Sequence, residues 1–332
     1  MTYLKSFIHN KFRTIVDLYL QKLTNCTIIA AISGGQDSMC LLKLLKDFQH
    51  TYHWNIIVVN FNHEWRQDSN ANSNAIKNIA IRWGFKFAYF RKFVHTENYA
   101  RIWRYNKLIE LAKRQQINYI LTAHTLTDRI ETTLHNLIRG SGSEGISALN
   151  FTTILVKEIK IIRPLLCLNR NETLWFCKKF YSPIWSDITN YSYLINRNRI
   201  RQELIPYIKK YFNDSFDTNF HYFIDITTKE VKYLQEQSSY FYNICKHPKY
   251  VGINQLIINK LPIPIQRRII RIFFYKNLNL KLNFIQTEKI RQKYIFCRNK
   301  TSSYKINNKY YLINHLNWIY LINKQTNYII KI

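Results

Sequence analysis

Residues 28–38 read Ile-Ile-Ala-Ala-Ile-Ser-Gly-Gly-Gln-Asp-Ser, an apolar β-branched run that ends in a Ser-Gly-Gly turn. The leucine pattern from Met39 to Phe48 predicts a helix directly after this turn. A strand, a tight glycine turn and a helix N-terminus form an anion site, because the backbone N–H groups and the helix dipole both favour negative charge. Two adjacent glycines also let a phosphate approach the backbone closely. The stretch therefore predicts a phosphate-binding loop.

Six residues of this loop are the candidate nucleotide ligands: Ser33, Gly34, Gly35, Gln36, Asp37 and Ser38. A carboxylate beside a phosphate repels it unless a cation lies between them, so Asp37 predicts Mg²⁺ carried by a nucleotide. The simpler alternative is an ordinary strand–helix turn, since Asp is favoured near a helix start in any case. The loop lacks the Gly-Lys-Ser/Thr of a Walker A loop and the third glycine of a dinucleotide fingerprint.

The composition indicates a folded, strongly basic protein. At 332 residues with 47% hydrophobic content, the chain is long enough for two domains. A formal net charge of +29 favours a polyanionic partner such as nucleic acid. Part of this charge has another explanation, because an AT-rich genome also enriches Lys, Asn, Ile and Tyr. The cysteines form no Cys-x-x-Cys pair, which argues against a zinc ribbon or a redox pair, and no apolar run is long enough to span a membrane.

Strand and helix patterns alternate over the first 140 residues. The predicted helices lie at 7–23, 69–83, 98–115 and 126–139, and further predicted strands lie at 55–61, 85–93 and 119–122. This alternation predicts an α/β fold with a doubly wound parallel sheet. Ligands bind such sheets beyond the carboxyl ends of the strands. Polar clusters follow three of the strands, at 33–38, at 62–66 and around His124, so we expect them to share one site.

Beyond residue 212 the pattern changes to that of a second, smaller and mainly helical domain. A turn at 213–215 sets the expected boundary, which gives domains of 1–212 and 213–332. Helical patterns cover 216–246 and 262–277, and the alternation at 304–322 predicts a terminal β hairpin with turns at 307–308 and near Asn314.

His124, Asp128 and Glu131 are spaced so that they share one helix face. An imidazole and two carboxylates can bind an amine, orient it and accept its proton, or they can hold a metal ion. A solvated helix face is the simpler interpretation of the spacing alone. The position after a strand, at the same sheet edge as the glycine loop, favours a functional site instead.

Arginines form the other candidate group. Arg104 lies in the helix at 98–115, and Arg139 opens an Arg-Gly-Ser-Gly turn whose glycines a helix C-cap also explains. Both are candidates for contacts with phosphate. Two further groups of arginines have two interpretations, either a solvated surface or contact with an RNA backbone. They are Arg197, Arg199 and Arg201 in one basic run, and Arg267, Arg268 and Arg271 on the helix at 262–277.

Taken in order, these motifs resemble those of the tRNA(Ile)-lysidine synthetases. The matching segments are SGGxDS at 33–38, Asn62-His63 with Arg66, Ala100-Arg101 with Arg104-Tyr105, TAHxxxDxxET at 122–132, RGSGxxG at 139–145, RPLL at 163–166 and DxTN…RNRIRxELIP at 187–206. The loop alone resembles the whole ATP-pyrophosphatase superfamily, whereas the combination is far more specific. Two departures occur: Thr127 stands where the family often has a second Asp, and Glu64-Trp65 replaces the usual Gly-Leu. The further C-terminal domain of longer family members is expected to be absent.

The resemblance implies an adenine nucleotide α-hydrolase-like fold and an ATP-dependent ligase. ATP would adenylate the wobble cytidine of a CAU-anticodon tRNA(Ile), and free L-lysine would then displace AMP, giving lysidine and a change from AUG to AUA decoding. The resemblance also implies a catalytic set: Asp37, Arg104, His124, Asp128, Glu131 and Arg139. Within it, Asp128 and Glu131 would bind the lysine ammonium, with His63 joining the nucleotide site.

Two other functions stay open at this point. A tRNA thiolase with the same loop would need a sulfur-handling cysteine or an iron–sulfur cluster, and a non-catalytic tRNA-binding protein would retain only a relic nucleotide site. The composition bias favours the plastid stroma, with the bacterial cytoplasm as the alternative. The sequence leaves the oligomeric state open, a homodimer included.

Overall fold

The computed structural model describes residues 6–20, 24–64, 69–147, 149–185, 193, 196–296, 303–306, 309–323 and 329–330. The chain forms two compact units, Met1–Asp225 and Ile226–Ile332. The division falls inside a long helix, α10 (Phe216–Cys245), whereas the boundary expected from the sequence lies just before that helix. Among the helices described, none is long and apolar enough to cross a membrane.

The first unit contains a six-stranded sheet in the order β3-β2-β1-β4-β6-β5. Its strands are β1 (Thr27–Ala31), β2 (Asn55–Asn62), β3 (Lys86–Arg91), β4 (Tyr119–Thr122), β5 (Thr152–Val156) and β6 (Ile159–Ile162). The strands pair in parallel except β5, which runs antiparallel to β6 as the edge strand of a hairpin. The predicted α/β fold with a doubly wound parallel sheet is confirmed, except that the edge strand β5 is antiparallel.

Helices connect and cover these strands: α1 (Phe7–Leu20), α2 (Gln36–Tyr52), α3 (Ser69–Arg82), α4 (Glu97–Arg114), α5 (Leu126–Ile138), α6 (Ser143–Ile146), α7 (Arg170–Lys179), α8 (Asn196–Arg199) and α9 (Ile205–Tyr211). A 3₁₀ turn occupies Pro164–Cys167, and a π-helical turn at Ile200–Leu204 joins α8 to α9. The predicted helices end within a few residues of these bounds. Residues 21–23 of the first predicted helix lie outside the described residues.

Alternate residues of the central strands enter different cores. Ile28 and Ala30 of β1 pack in a cluster with the leucines of α2, whereas Ile29 packs with Leu108 of α4 in another cluster. Because successive strand side chains point to opposite faces, the sheet carries helices on both sides. This explains why the strands read as continuous apolar runs.

The strand order reverses direction at β1. The chain passes from β1 outward to β2 and β3, and then returns to place β4 on the other side of β1. Loops that leave neighbouring strands in opposite directions open a crevice at the carboxyl edge of the sheet, and ligands bind there. The crevice lies between the loop after β1, at Ser33, and the loop after β4, at His124.

The second unit combines helices with a four-stranded sheet in the order β7-β10-β9-β8. Its further elements are α11 (Gln255–Asn259), α12 (Ile263–Leu278), α13 (Phe284–Ile290), β7 (Gly252–Asn254), β8 (Tyr304–Lys305), β9 (Tyr310–His315) and β10 (Trp318–Asn323). The predicted hairpin is confirmed as β9–β10. Its turn lies at Leu316-Asn317, both with positive φ, slightly beyond Asn314. The turn predicted at 307–308 falls outside the described residues, and β7 was not predicted.

Candidate active site

The loop after β1 is closed upon itself by Ser38. The Gly34 N–H donates to Ser38 Oγ at 3.0 Å, and the Ser38 hydroxyl donates to the Gly35 carbonyl at 2.8 Å. Gly34 has φ +90°, and a Cβ there would lie 2.2 Å from Asn72 Oδ1. Only glycine therefore fits this position without moving a neighbour. The turn places the loop before the N-terminus of α2, as the sequence predicted.

Side chains from β2 and α3 hold the loop from behind. Asn72 Nδ2 donates to the Ser33 carbonyl at 2.9 Å, and Asn60 Nδ2 donates to the Ile32 carbonyl at 2.8 Å. Asn60 is itself fixed by the Ser73 hydroxyl at 2.7 Å. Sequence reasoning missed these residues. The one available signal was Asn60, a polar residue inside an apolar strand, because a buried amide requires partners.

A cavity of about 450 Å³ opens above this loop. Its lining includes five of the six loop residues named as candidate ligands, together with His63, Arg104 and His124. The structure thus brings the three strand-end clusters to one cavity. Arg170 and Trp185 also line it, and neither was a candidate from the sequence.

Asp37 lies at this cavity with few charged partners. Its Oδ1 accepts from the Thr173 hydroxyl at 2.6 Å, and Arg170 Nε lies 3.5 Å from Oδ2. Burial raises the pKa of Asp37, and this outweighs the opposing effect of Arg170, while Asp128 raises it further. Burial penalises the ionised form of this carboxylate, and a bound cation would relieve that penalty. Among the described residues, no group of three or more Asp, Glu, His or Cys side chains could hold a metal ion by itself. The donor set therefore fits a cation that arrives with phosphate ligands.

Two histidines at the cavity are held neutral. Burial, aided by Arg104, lowers the pKa of His63 to about 4, and the His63 ring packs edge-on against Trp103 at 5.3 Å. Burial also lowers the pKa of His124 to about 4, despite the opposing effect of Asp128. His124 Nδ1 lies 3.0 Å from Thr122 Oγ1. Near neutral pH both imidazoles are therefore uncharged hydrogen-bonding groups.

Asp128 and Glu131 form a compact ion-pair cluster with two arginines of the basic run. Arg197 donates through Nη2 to Asp128 Oδ1 and through Nε to Glu131 Oε2, both at 2.8 Å. Arg201 donates to both oxygens of Glu131, at 2.5 and 2.8 Å. Glu131 is fully buried. Arg197 of α8 and Arg201 of the following π-helical turn thus meet two carboxylates of α5.

The position of Asp128 adds a second kind of stabilisation. Its Oδ2 accepts from the Thr125 N–H at 2.8 Å, while the Thr125 hydroxyl accepts from the Asp128 N–H, which forms a capping box at the start of α5. Burial disfavours the charged form of Asp128, but Arg197, His124 and the Thr125 N–H outweigh it and lower the pKa. Asp128 is therefore ionised over the physiological pH range.

The remaining arginine candidates lie elsewhere. Arg139 is exposed at the end of α5 and lines a different depression, together with Arg199, which bonds to Glu203. In the second unit, Arg267 donates to Glu288 at 2.5 Å. Arg268 is buried and donates to the Pro264 carbonyl at 3.3 Å. Contacts of the basic runs with RNA stay predictions.

Comparison with known proteins defines the class first. The profile of the PP-loop domain matches residues 8–208. The fold resembles that of the U34-tRNA thiolase NcsA from Methanococcus maripaludis, with a TM-score of 0.55 and 15% identity over 66% of this chain and 79% of that one. The chain is thus a PP-loop protein, and its fold is similar to that of the thiolase.

Curated relatives narrow the family. The chain is 37% identical to the chloroplastic tRNA(Ile)-lysidine synthase of Pyropia yezoensis, over 95% of this chain and 96% of that one. It is 36% identical to the tRNA(Ile)-lysidine synthase of Nostoc, over 80% of this chain and 82% of that one. The chain belongs to the tRNA(Ile)-lysidine synthase family, and the thiolase alternative is correspondingly less supported.

Proposed function

We propose that the chain is an ATP-dependent ligase that converts the wobble cytidine of a CAU-anticodon tRNA(Ile) to lysidine with free L-lysine. One observation carries the proposal: the glycine loop follows β1, and α5 with Asp128 in its first turn follows the neighbouring parallel strand β4, so both lie at the carboxyl edge of the sheet. The glycine loop suits a nucleoside triphosphate, and the carboxylates of α5 suit an amine. Membership of the tRNA(Ile)-lysidine synthase family supports ATP as the nucleotide and L-lysine as the amine.

The loop and its cavity bind ATP in this proposal. Backbone N–H groups of the turn and the start of α2 face the phosphates, and Gly35, which lines the cavity without a Cβ, leaves room for their close approach. Arg104, beside His63, balances part of the phosphate charge. Asp37 would hold Mg²⁺ against the phosphates, where the ion neutralises charge and makes pyrophosphate a better leaving group. Arg139 does not line this cavity, so its predicted catalytic role has less support.

The carboxylates of α5 hold the lysine ammonium. Arg197 helps to keep Asp128 ionised, and Glu131 is ion-paired with Arg197 and Arg201, so an incoming ammonium would meet two carboxylates in a largely buried place. The arginines balance these charges when lysine is absent. The amine must lose a proton before it attacks, and its pKa in water is about 10.4. His124 is neutral and offers a ring nitrogen as acceptor, whereas the low pKa of Asp128 makes that carboxylate a weak base.

The cellular site is part of the proposal. Algal relatives at 37–39% identity are described as chloroplastic, and the composition of this chain has the same bias expected of a plastid genome. We infer a plastid enzyme, with the bacterial cytoplasm as the alternative.

The decisive experiment supplies ATP, radiolabelled lysine and a CAU-anticodon tRNA(Ile) transcript. We expect label in the RNA, release of AMP and pyrophosphate, and no label when the wobble cytidine is replaced by uridine. Unlabelled RNA together with ATP turnover would reject the lysine step. A folded chain that neither consumes ATP nor labels RNA would leave only a tRNA-binding role.

A further inference from the structure

The helical stretch that carries the arginine run has a second, differently built side. Arg197 and Arg201 contact the carboxylates of α5, whereas Arg199 and Tyr207 line an open depression of about 740 Å³. The last turn of α5 supplies the other wall, including Arg139. The catalytic cluster and this depression therefore share the same two helical segments, and none of the proposed chemistry uses the depression.

Aromatic rings continue this surface beyond the depression. Tyr207, Tyr211 and Phe212 are 56%, 61% and 76% exposed. The Tyr207 ring lies 4.9 Å from that of Tyr211 and 6.0 Å from that of Phe212, so the rings form one cluster. Ile138, at the lip of the depression, is 66% exposed. A contiguous aromatic surface in water is unusual for a folded protein and marks an interaction site.

Cations surround the aromatic cluster. Arg139 is exposed, Lys210 lies 5.0 Å from the Tyr211 ring centroid, and Arg199 is exposed although it bonds to Glu203. Glu203 is the acidic residue in the described lining of the depression, and Arg199 already neutralises it. Exposed rings flanked by cations match single-stranded nucleic acid, because the bases stack on aromatic faces and the phosphates need positive charge. A second copy of this chain fits poorly, since each copy carries a net charge of +29.

We propose that this surface, Arg139, Arg199, Tyr207, Tyr211 and Phe212, binds unpaired nucleotides of the RNA substrate. The rings stack on bases next to the one that is modified, and the two arginines bind phosphates. The inference rests on the proposed function, because it takes the RNA to be the substrate of the adjacent carboxylates. It also gives Arg139 a role in RNA positioning, in place of the catalytic role expected from the sequence.

A binding experiment separates base stacking from charge. The probes are a fluorescent stem-loop RNA with the CAU anticodon loop and the same RNA with abasic loop nucleotides. The Tyr207→Ala/Tyr211→Ala double variant is expected to bind the intact loop about 10- to 100-fold more weakly, because stacking is lost. Its affinity for the abasic loop is expected to be unchanged. The Tyr207→Phe/Tyr211→Phe variant keeps both rings and is expected to bind like the wild type.

Two controls make the result specific. Tyr181→Asn removes a ring that is 94% exposed outside this surface, and it is expected to leave both affinities unchanged. Thermal unfolding of each variant shows that the fold is retained, as expected for side chains that are mostly in solvent. For the arginines, Arg139→Gln is expected to weaken both RNAs and to reduce the slope of log K against log salt by about one.

Three outcomes would overturn the inference. The first is unchanged affinity of the folded double alanine variant for the intact loop. The second is equal loss for intact and abasic loops, which would show that the rings do not contact bases. The third is a wild-type dimer, seen by sedimentation, that the alanine variant dissociates. Lysine labelling of the RNA distinguishes these outcomes from failure of the proposed function. If the wild-type protein labels the RNA and the alanine variant binds the RNA normally, only the proposed surface is rejected. If the wild-type protein binds the loop through the rings but does not label it, only the ligase activity is rejected.

Discussion

Asp37 and Asp128 occupy comparable positions and have opposite electrostatics. Each lies in the first turn of a helix that follows a central parallel strand, α2 after β1 and α5 after β4. The pKa of Asp37 is raised by burial, because Thr173 is a neutral donor and Arg170 approaches only to 3.5 Å. The pKa of Asp128 is lowered, because Arg197 at 2.8 Å, His124 and a backbone N–H outweigh burial.

In the proposed function, this difference would fit one sheet edge to two substrates. Burial of Asp37 is not offset by a close charged partner, and a bound cation would supply that partner. Around Asp128 the chain supplies its own counterions, so the carboxylate is ionised before any substrate binds. If Asp37 binds the nucleotide's cation and Asp128 binds the lysine ammonium, the two sites differ in whether the protein supplies a close counter-charge of its own.

Removing the charge of Asp128 should have the largest effect. Asp128→Asn keeps an oxygen that can accept the Thr125 N–H, so α5 should still form, but the ammonium loses a counter-charge. We expect lysine incorporation to fall by about 10² to 10⁴-fold, the usual range for removing a catalytic acid–base or orienting group. ATP affinity, measured by equilibrium dialysis, should change only a few-fold.

The matched control for this variant is Asp217→Asn. Asp217 is also a carboxylate paired with a cation, Lys209 at 2.8 Å, but it lies outside the cavity lining. It should retain full incorporation. Near-normal incorporation by Asp128→Asn would remove Asp128 from the mechanism.

Neutralising Glu131 should test the cluster through stability. Glu131→Gln leaves Arg197 and Arg201 with one fewer buried counter-charge, and breaking a buried pair from one side costs about 3 kcal/mol. Urea unfolding should show this loss in the free energy of unfolding. Adding Arg201→Gln should recover part of it, because the unpaired charge is then also removed. Additive losses in the double variant would mean that the two residues do not interact as the structure shows.

The sequence predicted most of the fold because its signals are local. The buried strands, the glycine turn and the amphipathic helices follow from apolar periodicity and turn residues within short windows. Their shared edge followed from the rule for parallel sheets, which needs only the order of the strands. The strand β7, three residues long, and the place where α10 divides between the units have no comparable local signal.

The site was predicted less completely, because its partners are distant in sequence. Arg197 and Arg201 lie 66 and 70 residues from Glu131, and each of these residues has a simple solvated interpretation. Two arginines four apart and two carboxylates three apart do have complementary helical spacing, which was the available clue. Asn72 offered none, since its contact with Ser33 depends on tertiary packing.

Replacing Asp37 should raise stability while it abolishes ATP use. Ionised Asp37 is penalised in the folded state, so Asp37→Asn is expected to increase the free energy of unfolding by about 0.5–2 kcal/mol at neutral pH. Its amide oxygen can still accept from Thr173. Chemical unfolding without nucleotide measures the change. A destabilised variant would show that Asp37 already has sufficient positive charge around it.

Asp37 and Asp128 should contribute to the free energy of unfolding with opposite dependence on pH. The raised pKa of Asp37 means that its penalty is absent below the unfolded value, about 3.9, and is complete above the folded pKa. The gain from Asp37→Asn should therefore vanish on acidification. Asp128, with its lowered pKa, contributes stability above about 3.9 that is lost as the pH falls through its folded pKa. The loss of unfolding free energy caused by Asp128→Asn should therefore shrink in acid. If the change in unfolding free energy followed the same pH curve for both variants, the opposite pKa shifts of Asp37 and Asp128 would be contradicted.

The smallest expected effect concerns charges that the protein has already neutralised. Hydrogen bonds from Arg267 and then Arg291 lower the pKa of Glu288, so this carboxylate is a permanent partner of Arg267, whose side chain is only 31% exposed. Arg199 is 59% exposed and pairs with an exposed Glu203. Arg199→Gln should reduce the salt slope of RNA binding by about one, and Arg267→Gln by less than about half of that, because a contact with phosphate would first have to break the pair with Glu288. If both variants reduced the salt slope equally, Arg267 would exchange Glu288 for phosphate on RNA binding. That is the RNA contact predicted from the sequence of this basic helix.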